Sequence, residues 1–150
     1  MKTLSIFTIF IFLVTSCAKN KAEEQAIKDD NIIIEYLSKN NIKATKTSSG
    51  LYYYIENEGN LVKPNQNSQV RVSYKGYLTN GVIFDESDSL GVVFYLNQVI
   101  EGWTEGICYF GEGGKGKLFI PSALGYGSKS TSEIPANSVL IFDVNLKDVY

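Results

Sequence analysis

The chain has 150 residues, 44% hydrophobic and 20% charged, which fits one globular domain with a real core. Its 14 basic and 16 acidic residues nearly cancel, so the surface as a whole projects no strong field and nucleic acid is not an expected partner. There is no histidine, so the commonest general base is missing and any proton transfer would fall to carboxylates, tyrosine, lysine or Cys108.

The first 17 residues, MKTLSIFTIFIFLVTSC, begin with one lysine, continue through an apolar run from Ile6 to Val14 and end in small residues before a cysteine. A bilayer-spanning helix needs about 20 apolar residues, so a cleaved export signal over residues 1–16 is the better reading. The tail Val14-Thr15-Ser16-Cys17 is similar to a bacterial lipobox, which makes Cys17 an acylation site, a membrane anchor and the first residue of the mature chain. An ordinary signal peptide with a coincidental cysteine is the competing reading. If Cys17 carries lipid, Cys108 is the only thiol left, so no intramolecular disulfide is expected, and Cys108 reads as a small buried hydrophobe.

Residues 17–48 read as a polar tether followed by a short helix. Asp29 and Asp30 sit where a helix start favours negative charge, Ile33, Tyr36 and Leu37 recur at helical spacing, and Asn40-Asn41 ends the run. From residue 49 to 150 the period turns to that of strands, over Leu51–Ile55, Val70–Tyr74, Val82–Phe84, Val92–Leu96, Lys117–Pro121 and Val139–Leu146. Val70, Val72 and Tyr74 share one face, with Arg71 and Ser73 on the other, the pattern of a sheet covered on one side. Asn80-Gly81 predicts a tight hairpin, and Ile100 to Phe110 reads as one short helix with Trp103 and Ile107 on one face. The fold class is α+β, an antiparallel sheet packed on one short helix with a helical extension before it.

Two motifs reduce to ordinary structure. Gly111 to Gly116 spells GxGxxG, yet it follows a helix and opens a strand, the reverse of a dinucleotide-binding turn. Asp85, Glu86 and Asp88 lack the spacing of a calcium loop and read as a solvated loop, and no cofactor is expected. Tyr126 lies between Gly125 and Gly127, a setting that suits ligand contact as well as structure.

Taken in order, Val72-Ser73-Tyr74-Lys75-Gly76, Gly81-Val82-Ile83-Phe84-Asp85, Val99-Ile100-Glu101-Gly102-Trp103, Ile120-Pro121, Tyr126-Gly127, Ile134-Pro135 and Leu140-Ile141-Phe142-Asp143-Val144 resemble an FKBP-type peptidyl-prolyl isomerase. The preceding helix and Ser49-Gly50-Leu51-Tyr52 are similar to exported bacterial members with an N-terminal extension. The resemblance implies an FKBP-like sheet wrapped around one short helix, and a pocket for the proline of a polypeptide. It makes Trp103 the floor, Tyr74, Phe84 and Phe142 the walls, Val99 and Ile100 the helix-side rim, and Tyr126 and Ile134 the overhanging loop. It also assigns the Tyr126 hydroxyl and the Ile100 backbone N–H as donors to carbonyls of the bound chain, and Asp85 as an acceptor at the pocket edge for Tyr74 or Tyr126.

Two departures bear on macrolide inhibitor binding more than on isomerase activity. Val92 stands where the family often has an aromatic wall residue, and no basic residue follows Asp85 within the next five positions. The implied function is isomerisation of X-Pro bonds in exported proteins at the cell envelope. The alternative is a non-catalytic chaperone or assembly factor using the same pocket, and a periplasmic small-molecule-binding lipoprotein fits the motifs less well.

Overall fold

The computed structural model describes residues 7–150, with side chains from Lys19 onward. The acylation reading at Cys17 therefore falls outside the described side chains. No helix among the described residues is long and apolar enough to cross a membrane.

Helix α1 runs Phe7–Lys39, and seven strands follow: β1 Thr45–Lys46, β2 Tyr52–Asn57, β3 Gln69–Leu78, β4 Ile83–Glu86, β5 Val92–Tyr95, β6 Lys115–Ile120 and β7 Leu140–Val149. Helix α2, Glu101–Gly106, lies between β5 and β6 and continues into a 3-10 turn over Ile107–Tyr109. All strand pairs are antiparallel, in the order β1-β2-β6-β7-β3-β4. The free edge of β3 is shared: Gln69–Val72 pairs with β5 and Lys75–Tyr77 with β4. Along β3 and β7 the register places Tyr74 opposite Val144 and Gly76 opposite Phe142.

Alternation sorts the side chains onto two faces. Val70, Val72, Leu118, Ile120, Leu140, Phe142, Val144 and Leu146 pack with Trp103 and Ile107 in one cluster around α2. Phe119 and Ile141, one residue out of phase, join Tyr52, Val139, Ile33 and Leu37 in a second cluster under α1. Here the structure corrects the expectation of a sheet covered on one side, because β6 and β7 are covered on both. Buried on both faces, such strands read as nearly unbroken apolar runs, as LFI and VLIF do in this chain.

The segment read as a polar tether is also corrected, since α1 runs through it without a break. Its lysines, glutamates, alanines and glutamine are good helix formers, and the far end of the helix is held by the fully buried Ile33. Asn40 and Asn41 do end it: Asn40 Nδ2 donates to Tyr36 O at 2.8 Å, and Asn41 adopts φ 55. The region read as one helix from Ile100 to Phe110 is instead α2 plus a 3-10 turn. Gly102 and Gly106 let α2 lie close against β6, for a Cβ at either would come within 2.5 Å of Ile120 or 2.7 Å of Leu118. The hairpin at Asn80-Gly81 is present, closed by Leu78 N donating to Val82 O at 2.9 Å.

Candidate active site

The concave face of the sheet and the start of α2 enclose a cleft of about 390 Å³ lined by Tyr74, Asp85, Phe94, Gln98, Val99, Ile100, Trp103, Tyr126 and Phe142. Its floor is Trp103, the only tryptophan, 4% exposed and projecting from the first turn of α2. Three rings meet that indole nearly at right angles: Tyr74 at 5.0 Å, Phe142 at 5.3 Å and Phe94 at 5.5 Å between centroids. Edge-to-face contact sets the positive edge of one ring against the negative face of another and adds about 0.5–1.5 kcal/mol per pair beyond burial. The box is therefore rigid and apolar before any ligand arrives. The Trp103 Nε1–H is buried without an acceptor among the described residues.

Close approach of the wall rings depends on Gly76. A Cβ there would lie 2.6 Å from Phe84 and 2.7 Å from Phe142, two rings that meet edge to face at 5.5 Å. Phe84 thus stands behind Phe142 and supports the wall.

Apart from the Trp103 Nε1–H at the floor, the polar side-chain groups lie at the mouth. Tyr74 Oη donates to Asp85 Oδ2 at 2.8 Å, joining β3 to β4 across the rim. Burial, and then the bond to Asp85, push the Tyr74 phenol well above its usual range, so it stays protonated and donating. Ile100 caps the start of α2: its carbonyl accepts from Trp103 N and Thr104 N, while its own N–H takes no part in the turn and cap bonds. Tyr126, 42% exposed, lies just beyond a short 3-10 turn over Ser122–Leu124 and overhangs the opening.

Three expected pocket residues do not line the cleft. Ile134 is 5% exposed and packs into the cluster that holds Trp103 and Phe142, fixed by its N–H donating to Thr131 Oγ1 at 3.0 Å. Val92 is 43% exposed and pairs with Val72 on the β3–β5 ladder, outside the cleft. Phe84 is the third, in its supporting place. Phe94, two residues beyond Val92 on the same face of β5, supplies the aromatic wall instead, and Gln98 adds an amide to the rim. Period-two alternation put Val92 and Phe94 on one face; the ladder pairing of Phe94 with Val70 decides which of them reaches Trp103.

Cys108 is half-buried, its Sγ lies 3.3 Å from Thr104 O, and burial raises its thiol above the ordinary range, which keeps it protonated. No group of three or more potential metal ligands occurs among the described residues. The Gly111–Gly116 run leads from the 3-10 turn into β6, as a connecting turn. A second cleft of equal volume opens along Lys75, Lys117 and Asp143, but it is polar and its Lys117 and Asp143 are bonded to each other.

A family model described as FKBP-type peptidyl-prolyl cis-trans isomerase matches residues 61–147. The chain is 43% identical over 137 residues to the FKBP-type peptidyl-prolyl cis-trans isomerase FkpA of Aeromonas hydrophila, covering 89% of this chain and 51% of that protein. The crystal structure of FkpA from Escherichia coli matches with a TM-score of 0.73 at 36% identity, covering 99% of this chain and 74% of that one. A crystal structure of a peptidyl-prolyl cis-trans isomerase from Pseudomonas syringae pv. tomato matches with a TM-score of 0.71 at 30% identity, covering 84% and 94%. The chain spans about half the length of the curated relatives it matches.

Proposed function

The chain belongs to the FKBP-type peptidyl-prolyl cis-trans isomerase family, and we propose that it isomerises X-Pro bonds of exported polypeptides and so assists their folding. The observation that carries this reading is the orthogonal aromatic box on Trp103, an aromatic-lined cleft that can take a proline ring, with the Tyr74, Asp85, Gln98 and Tyr126 side chains at its rim.

Rotation about a peptide bond is opposed by about 18–20 kcal/mol because twisting destroys amide resonance. The two X-Pro isomers differ by only about 0.5–1 kcal/mol, so a catalyst need act on the barrier alone. A planar amide is more polar than a twisted one, and an apolar, water-poor cleft disfavours it relative to the transition state. Trp103 supports the proline ring from below, with Tyr74, Phe94 and Phe142 as walls. Tyr126 Oη and the Ile100 N–H donate to carbonyls of the chain on either side, holding it while the bond turns. Asp85 keeps the Tyr74 hydroxyl occupied at the rim. No proton moves and no covalent intermediate forms, which suits a chain without histidine.

The test is a protease-coupled assay on X-Pro peptides, comparing the full chain with Tyr126→Phe and Trp103→Ala. Acceleration by the parent chain, weakened in both variants, supports the reading, and no rate above background removes it. Binding of unfolded chains without catalysis is a second reading, favoured by the exposed Val93 and Tyr95 on either side of Phe94. Suppressed aggregation by a chain inactive in the peptide assay would select it. Macrolide inhibitors are ligands of the same cleft, and the exposed position of Val92 leaves Phe94 as the ring they would meet.

We further propose that residues 1–16 are a cleaved export signal and that an acyl group on Cys17 holds the chain to a membrane of the cell envelope. Detergent partitioning of the expressed precursor and of Cys17→Ser checks this; equal partitioning into water would refute the anchor.

A further inference from the structure

Among the described residues Asp29 is the one acidic side chain that is fully buried, and it is far from the cleft in sequence. It sits on α1 with 0% exposure, where its Oδ2 accepts from Ser122 N at 2.7 Å and from Ser122 Oγ at 2.6 Å. Its Oδ1 accepts from Gln25 Nε2 at 2.7 Å. Burying a carboxylate is expensive unless charge-assisted hydrogen bonds replace its water, and three such bonds do so here.

The partner makes this contact more than a fastening for the helix. Ser122 opens the 3-10 turn that leads to Tyr126, and its carbonyl accepts from Gly125 N at 3.0 Å and from Gly127 N at 2.8 Å, the two amides that bracket Tyr126. A continuous line of hydrogen bonds therefore runs from Asp29 through Ser122 to both sides of the overhanging tyrosine. Flanked by glycines and exposed, Tyr126 has little packing of its own to hold its hydroxyl over the cleft.

We propose that Asp29 is a positioning residue, through which the N-terminal helix sets the loop that carries Tyr126 over the cleft. It touches no substrate and acts only through Ser122. Asp30, its neighbour, supplies an internal control. It accepts from Tyr52 Oη at 2.8 Å and pairs with Lys46 at 2.7 Å, so it ties the same helix to the sheet without touching the loop.

The role of Tyr126 in turnover rests on the isomerase reading, so the test has one arm that needs activity and one that does not. In hydrogen exchange on the full chain, Asp29→Ala should speed exchange at the Gly125 and Gly127 amides about tenfold or more, leaving the β6 and β7 amides protected, while Asp30→Asn leaves all of them unchanged. Unaltered exchange at Gly125 and Gly127 in folded Asp29→Ala would overturn the proposal, whatever the chain catalyses. In the peptide assay, Asp29→Ala should lower kcat/KM about tenfold in the parent chain, but at most twofold in a Tyr126→Phe background, because misplacing a group costs nothing once that group is gone. Equal losses in both backgrounds would mean that Asp29 serves stability alone. Ser122→Ala, which keeps the backbone bond to Asp29, should fall between parent and Asp29→Ala in both arms. An inactive parent chain removes the isomerase reading and leaves the exchange arm to decide the coupling.

Discussion

Tyr74 and Asp85 meet at 2.8 Å across the rim, one from β3 and one from β4, and their bond forms a polar edge on the aromatic wall of the cleft. The carboxylate has no base work to do. Asp85→Asn keeps an acceptor of the same shape but lowers its strength, so turnover should fall only about two- to fivefold, the scale of one charge-assisted bond weakened to a neutral one. Steady-state kinetics of the variant check this, and a loss as deep as that of Trp103→Ala would contradict it.

Gly76 is the point where wall packing has no slack. In Gly76→Ala the new methyl would meet Phe84 at 2.6 Å and Phe142 at 2.7 Å, so both rings must shift. Overpacking of this kind costs about 1–3 kcal/mol, and because Phe142 lines the cleft the loss should appear in activity as well as in the denaturation midpoint. An unchanged midpoint and unchanged kinetics would show that the rings move freely.

Helix α1 belongs to the folded unit. Ile33 is fully buried against Phe119 and Ile141, so Ile33→Ala should destabilise the whole domain by about 2–5 kcal/mol in urea unfolding with a single transition. A variant that loses the helix to protease while the sheet unfolds at the parent midpoint would make α1 an appendage.

The pH profile of stability should be flat near neutrality, because the chain has no histidine. Tyr74 and Tyr77 titrate above their ordinary value of 10.0 in the folded state, mainly through burial and then through Asp85 and Asp143. The stability they contribute is complete below pH 10 and is lost as pH rises beyond it. Asp30 titrates below its ordinary 3.8, chiefly through its bond to Lys46, so its contribution is present above that pH and is lost as pH falls below it. Thermal midpoints between pH 3 and 11 check both limbs, and a step between pH 6 and 8 would contradict the scheme.

Much of the fold was legible because the strand signals are local. Val70, Val72 and Tyr74 alternate with polar residues, and Asn80-Gly81 marks its own hairpin. The second layer was harder, since the described side chains of α1 offer Ile33 and Leu37 as a buried hydrophobic pair while Ile27 and Ile34 stay exposed, a pattern too sparse to announce docking. The unbroken apolar runs of β6 and β7 carried the missing half of that information. At the cleft, Trp103, Tyr74 and Phe142 stand in motifs readable from the sequence and line the opening, whereas Val92 and Phe94 share one face of a strand, and strand register, a long-range property, chooses between them. Asp29 and Ser122 lie 93 positions apart with no spacing rule to join them, so only the folded chain brings them together.

The central claim is that the box on Trp103 lowers the barrier to X-Pro rotation without favouring either isomer. Exchange NMR on a proline peptide, with a catalytic amount of the full chain, reads both quantities at once. Cis–trans exchange should accelerate while the cis:trans ratio stays that of the free peptide, and Tyr126→Phe should weaken the acceleration. An exchange rate indistinguishable from that of the peptide alone, with Trp103 and the sheet intact in the same sample, would contradict the account.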